Sequence, residues 1–143
     1  MKNKILYFSY PLIIIGIIMI ILGLRWMIVD EPWLLDKVAN EERLAMSFEE
    51  LFTPAINVTL PNYLKQIYRF FGLWVIVIGL FILLLSQPKV LLENKIKNIL
   101  LFVVGFMIAS GTLLAYLWIP SSPFIYLAWV LISLYSISIF NYK

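Results

Sequence analysis

An all-α, membrane-embedded four-helix bundle is the fold class the sequence predicts, and three observations predict it. Hydrophobic residues make up 63% of the 143 positions and charged ones 13%, where soluble domains carry roughly 45–50% and about 25%. The apolar residues fall into four long runs rather than alternating along strands. Mean hydropathy is +0.97. A chain of this length has room for a single domain of about four spans at ~20 residues each, so residues 1–143 are read as one membrane domain.

The first span covers 5–29, where only Arg25 is charged. It leads into Arg25-Trp26 without a small-residue cleavage pattern, so it reads as an uncleaved helix rather than a removable signal. The next spans are expected over 67–85, 99–119 and 124–140. Pro120-Ser121-Ser122-Pro123 separates the last two, because two prolines around two serines end a helix and make a tight turn.

Residues 30–66 are the one sizeable non-membrane stretch, and they are too few to build a core of their own. An amphipathic helix is expected with Leu34, Leu35, Val38 and Ala39 on its apolar face and Asp36, Lys37, Glu41 and Glu42 toward water. Ser47-Phe48-Glu49-Glu50 has capping-box spacing, opening a second short helix with Phe48, Leu51 and Phe52 as its stripe before Pro54. Pro61 suits the first turn of the following helix. The picture is an acidic cap of short amphipathic helices over the outer end of the bundle.

Orientation follows from the bases. Lys2, Lys4, Lys89, Lys95, Lys97 and Lys143 fall on one side with Glu93 as the single acid. Five bases and seven acids fall between Arg25 and Arg69 on the other. The positive-inside rule then places both termini in the cytoplasm. Trp26, Trp33, Trp118 and Trp129 would gather toward the outer interface, as amphipathic rings do.

Gly16 and Gly23 are two turns apart in the first span, and Gly72 and Gly79 repeat that spacing in the second. Association in lipid depends on close approach at small residues, so these four positions, with Gly105 and Ala109 in the third span, are the expected helix-packing faces. They would hold the bundle together, or join it to a second copy or another membrane protein.

Chemistry is scarce. There is no Cys and no His, which removes thiolate and imidazole ligands and the usual near-neutral proton carrier. None of the four spans contains Asp or Glu. Ser110, Thr112, Ser133, Ser136 and Ser138 have no base at comparable depth and read as hydroxyls bonded to backbone carbonyls. The outer acids lack calcium-loop spacing and read as wet helix faces. No metal, cofactor or nucleic-acid partner is implied. Arg25 and Arg69 are the candidate lipid- or anion-binding residues: each is either a snorkelling side chain, or one of a pair converging on a lipid phosphate or carboxylate.

A first span with Gly near its outer end, a Pro-containing amphipathic connection, and then Tyr68-Arg69-Phe70-Phe71-Gly72 opening a Gly-rich second span together resemble the layout of DoxX-like small four-helix membrane proteins. That resemblance implies a four-helix bundle whose biochemical role is mostly unassigned, and it carries no functional residues onto this chain.

The expected function is non-catalytic: an accessory or assembly subunit, or a lipid-associated bundle. The alternative is a small carrier or channel for a lipophilic or anionic molecule, which should show a continuous path from the cap toward the midplane past Gly16, Gly72, Ser110 and Tyr116. A lipid-headgroup enzyme using Arg25, Arg69 and an outer acid is a third possibility.

Overall fold

Six α-helices and three short 3-10 turns make up the computed structural model, which describes residues 2–142, with side chains from Lys4 onward. Lys2 and Lys143, two of the bases used for orientation, are not among the described side chains. The helices are α1 (Lys2–Ile28), α2 (Lys37–Leu44), α3 (Phe48–Phe52), α4 (Leu60–Leu85), α5 (Asn94–Trp118) and α6 (Phe124–Phe140). Three of them, α1, α4 and α5, are long and apolar enough to cross a membrane. α6 is equally apolar but has 17 residues, about 26 Å at 1.5 Å per residue.

α1 and α4 run antiparallel and meet along their glycines. Gly16 lies opposite Gly79 and Gly23 opposite Gly72: a Cβ added at Gly23 would stand 2.5 Å from the Gly72 carbonyl oxygen, and one at Gly79 would stand 2.8 Å from that of Gly16. Two contacts separated by seven residues on each helix keep the seam facing the partner over two turns. Pro11 sits inside α1, where it removes the backbone donor that would reach back one turn.

α6 lies against α1, and α5 against α6. Ser138 donates its hydroxyl to the Phe8 carbonyl at 2.9 Å, and Tyr135 to the Leu101 carbonyl at 2.8 Å. Gly105 is the seat of that tyrosine, since a side chain there would strike the Tyr135 ring. Ala109, one turn further along α5, is exposed.

The core is lopsided. Phe8, Leu12 and Ile15 of α1, Ile82 of α4, Leu91, and Leu100, Val104 and Ile108 of α5 form its buried cluster. All belong to the end of the bundle that carries the N-terminus. There Lys97 stands over the rings of Phe8 and Tyr142 at 5.8 and 5.9 Å, and Ser9 donates to the Ser86 carbonyl. On the outer faces of the helices large apolar side chains are turned outward along the whole length, Phe81, Phe102, Phe106 and Leu117 among them. So wide an apolar surface is not stable in water.

The opposite end is closed by residues 30–59. The capping box is formed: Ser47 Oγ accepts the Glu50 N–H at 3.1 Å and the Glu50 carboxylate accepts the Ser47 N–H at 2.9 Å. Trp33, Phe48 and Phe52 stack together, with centroids 5.5–6.3 Å apart. Residues Pro32–Asp36 form a 3-10 turn rather than the first turn of a helix. At three residues per turn instead of 3.6 the phase shifts, so Trp33 and Ala39 are buried while Leu34 and Val38 face outward. Of the apolar face expected from helical spacing the cap therefore buries Ala39 fully and Leu35 in part, and leaves Leu34 and Val38 outside.

A candidate binding cavity beneath the cap

The same phase shift turns Asp36 toward the bundle instead of toward water. Its Oδ2 accepts the Ser122 hydroxyl at 2.8 Å, while Oδ1 is buried with no hydrogen-bond partner. Next to it Glu42 accepts from Ser121, so the Pro120–Pro123 turn is tied to the cap at two points. One helical turn on, Asn40 donates from Nδ2 to the Trp33 carbonyl at 2.9 Å and to the Tyr68 hydroxyl at 3.2 Å. This joins α2 to α4.

Asp36, Asn40 and Tyr68 form the polar rim of a cavity of about 370 Å³. Its walls are aromatic: Trp26 from α1, Phe71 from α4, Trp118 from α5 and Phe124 from α6. Trp26 holds the wall together, edge-on to Phe71 at 4.9 Å and tilted against Phe124 at 5.2 Å. Gly111 and Ala115 of α5 form its floor and also line a second chamber of about 200 Å³, which runs between Met19, Met107, Leu127 and Leu131. Phe124 borders both. A Cβ added at Gly111 would meet nothing within 4 Å, so this glycine opens onto free space where the other five sit against atoms. The two chambers thus adjoin at Gly111, Ala115 and Phe124, one under the cap and the other nearer the middle of the bundle.

No family model matches the chain, and no curated protein or solved structure is significantly similar to it. The site is therefore interpreted from its own chemistry.

Neither chamber is lined by the residues expected along a path from the cap. Gly16 and Gly72 are closed off in the α1–α4 seam, and Ser110 donates to the Phe106 carbonyl at 2.7 Å. Tyr116 accepts the Trp129 indole N–H at 3.2 Å and borders a groove of about 550 Å³ between α5 and α6, together with Ala109 and Thr112. Ser133 and Ser136 bond carbonyls one turn back in α6, both at 2.8 Å.

Arg25 and Arg69 are both exposed, and neither lines the cavity. The α1–α4 register puts them at the same level of the bundle, two residues beyond Gly23 and three before Gly72. Arg69 acts on Asp30. The Lys65 ammonium donates to Asp30 at 2.9 Å, and this bond, the Lys65 charge and the Arg69 charge together hold the carboxyl below its ordinary range. Glu50 is likewise held low, by the hydrogen bonds from Ser47. Among the described residues no group of three His, Cys, Asp or Glu side chains comes together as metal ligands.

Sequence spacing alone missed Asp36 and Gly111. A signal was present for each. Asp36 follows Pro32, which favours a turn start that resets the phase, and Gly111 lacks the heptad partner that the seam glycines have.

Proposed function

We propose that this protein is a non-catalytic multi-pass membrane protein, a four-helix bundle with both termini in the cytoplasm, which binds a lipid or similar amphipathic molecule beneath its outer cap. The observation that carries the reading is the adjoining pair of chambers, polar at the rim and apolar below, which share the exposed Gly111 at their common edge. Ligand cavities have this character, mostly apolar with a few placed polar groups. Supporting the membrane setting are three helices of spanning length, with α6 as a fourth, shorter span. A hydrocarbon core is about 30 Å thick, and α6 falls a few ångströms short of that, a mismatch that local thinning accommodates.

Filling the cavity tests the reading. Gly111→Leu inserts a side chain where no atom interferes. Native mass spectrometry from gentle detergent should show markedly less retained lipid than in the parent; equal retention in a folded variant would reject the proposal. The bases support the orientation, and reporters fused at each terminus test it.

A second reading, assembly with another copy or another membrane protein, is favoured by the groove between α5 and α6. Its small residues Ala109 and Thr112 admit a close helix approach. The chain has no cysteine, so Ala109→Cys cross-linking reports a self-contact without background. Arg25 and Arg69 would hold an anionic headgroup at the outer surface of the bundle, separately from the cavity; Arg25→Ala and Arg69→Ala should then lower co-purifying anionic lipid.

A further inference from the structure

We infer that the cavity selects a lipid with an ammonium headgroup, and that Asp36 with the surrounding aromatic wall provides the selection. The inference rests on the lipid-binding reading above and adds the chemical class of the ligand. Three observations carry it.

Asp36 lines the cavity with one carboxylate oxygen bonded to Ser122 and the other sealed from water without a partner, so a cation in the cavity acts on it through its field rather than by direct contact. Burying an acceptor of this kind is costly unless a donor reaches it, and for a charged group a cation relieves the cost best. Neither of the two ion pairs among the described residues, Lys37–Glu41 and Lys65–Asp30, involves Asp36. Among the described residues this negative charge therefore has no cation at ion-pair distance.

The second observation is the wall. Trp26, Phe71, Trp118 and Phe124 converge on the same cavity from four helices. Aromatic faces attract ammonium groups through their quadrupoles, and indole does so most strongly. An anionic headgroup would meet the Asp36 charge in a cavity that no base lines; the base beside it is Arg43, in the adjoining chamber that shares Asn40 and Tyr68. A purely apolar molecule would leave the Asp36 oxygen as it is.

Third, the ligand has a tail. The chamber below the aromatic ring is lined by Met19, Leu127 and Leu131, which suits an acyl chain and gives no support to a free hydrophilic amine. Ammonium near Asp36, phosphate toward Arg43 in the adjoining chamber and hydrocarbon below match the three parts of an aminophospholipid.

The experiment equilibrates the purified protein with vesicles of equimolar phosphatidylethanolamine and phosphatidylglycerol of identical chains, and reads retained lipid by native mass spectrometry. The parent should retain the ethanolamine lipid preferentially. Asp36→Asn keeps an oxygen for the Ser122 hydroxyl but removes the charge; it should still retain lipid while its headgroup preference falls about tenfold, the size expected for a desolvated cation contact. If that variant does not fold, Trp118→Leu takes its place, because Trp118 is half-exposed and its loss removes one aromatic face; its preference should fall in the same direction. Equal retention of both lipids by the parent, or an unchanged preference in the folded variant, overturns the inference. So does displacement of the lipid by excess free ethanolamine, which would assign the site to a soluble amine. Gly111→Leu separates the two levels: if it abolishes retention while retention in the parent ignores the headgroup, only this inference falls, and if it leaves retention intact the underlying reading falls as well.

Discussion

Replacing Gly23 with alanine should destabilise the bundle, although alanine is the better helix former. The new Cβ would stand 2.5 Å from the Gly72 oxygen, 2.6 Å from Ile76 Cγ1 and 2.9 Å from the Ile76 nitrogen. Two of these atoms belong to the backbone of α4, so a rotamer change cannot relieve them. Ordinary contact begins at 3.4 Å, and the helices must part by about 0.9 Å, a gap that forfeits roughly a quarter to a half of each dispersion contact across the seam. Overpacking of this kind costs about 1–3 kcal/mol. The opposing gain in helix propensity, about 1 kcal/mol in water, shrinks in a bilayer because lipid enforces helix in the separated state too. The net expectation is a loss of about 1–2 kcal/mol. Gly111→Ala is the control, since its Cβ meets nothing within 4 Å; it should be neutral or slightly stabilising. Reversible denaturant titration in mixed micelles, followed by tryptophan fluorescence, compares the two. A Gly23→Ala protein as stable as Gly111→Ala would refute the seam argument.

Four further outcomes follow from particular contacts. Tyr135→Phe removes the hydrogen bond to Leu101 and should cost about 1 kcal/mol in the same titration. Ala45 ends α2 with φ 55, a conformation that costs a residue with a Cβ about 1 kcal/mol, so Ala45→Gly should raise stability by about that amount. Lys65→Met should move Asp30 upward toward its ordinary range in an NMR titration, with the smaller effect of the Arg69 charge remaining; because the parent value is depressed, the contribution of this contact is present above the ordinary carboxylate range and is lost as pH falls through the depressed value. Ser47→Ala should raise Glu50 only in part, because the backbone N–H of residue 47, the larger cause, is kept, and should fray α3, visible as faster amide exchange at Glu50 and Leu51.

Much of this architecture was legible before any coordinates, because long apolar runs, proline pairs and capping boxes act over a few residues. α6 is bounded by Pro123 on one side, and the capping box is written in Ser47 and Glu50. The cavity was not legible in the same way. Asp36 is turned inward by a hydroxyl 86 positions away in sequence, and no local spacing reports such a partner. A helical period applied through Pro32–Asp36 gives the buried face only in part, since that segment winds at three residues per turn. Gly111 resembles the seam glycines in composition and differs from them only in facing nothing. The arginines stood out because charge near an apolar run is conspicuous, whereas an acid in the cap looked like one of several wet ones.

The lopsided core divides the bundle mechanically. At the end bearing the N-terminus, eight buried side chains form one cluster, and Ser9 and Ser138 fasten α1 to Ser86 and α6. At the capped end, the polar ties between residues 1–85 and the later helices are those of Ser121 to Glu42 and Ser122 to Asp36. Separating the two halves there breaks two hydrogen bonds to carboxylates, about 1.5–3 kcal/mol each, and the Trp26–Phe124 contact, and leaves the dense cluster untouched. The molecule is built like a clothes-peg: stiff at the cytoplasmic end that the proposed orientation gives it, and able to splay at the other. A guest reaching the cavity from the side has to work only against the weak end.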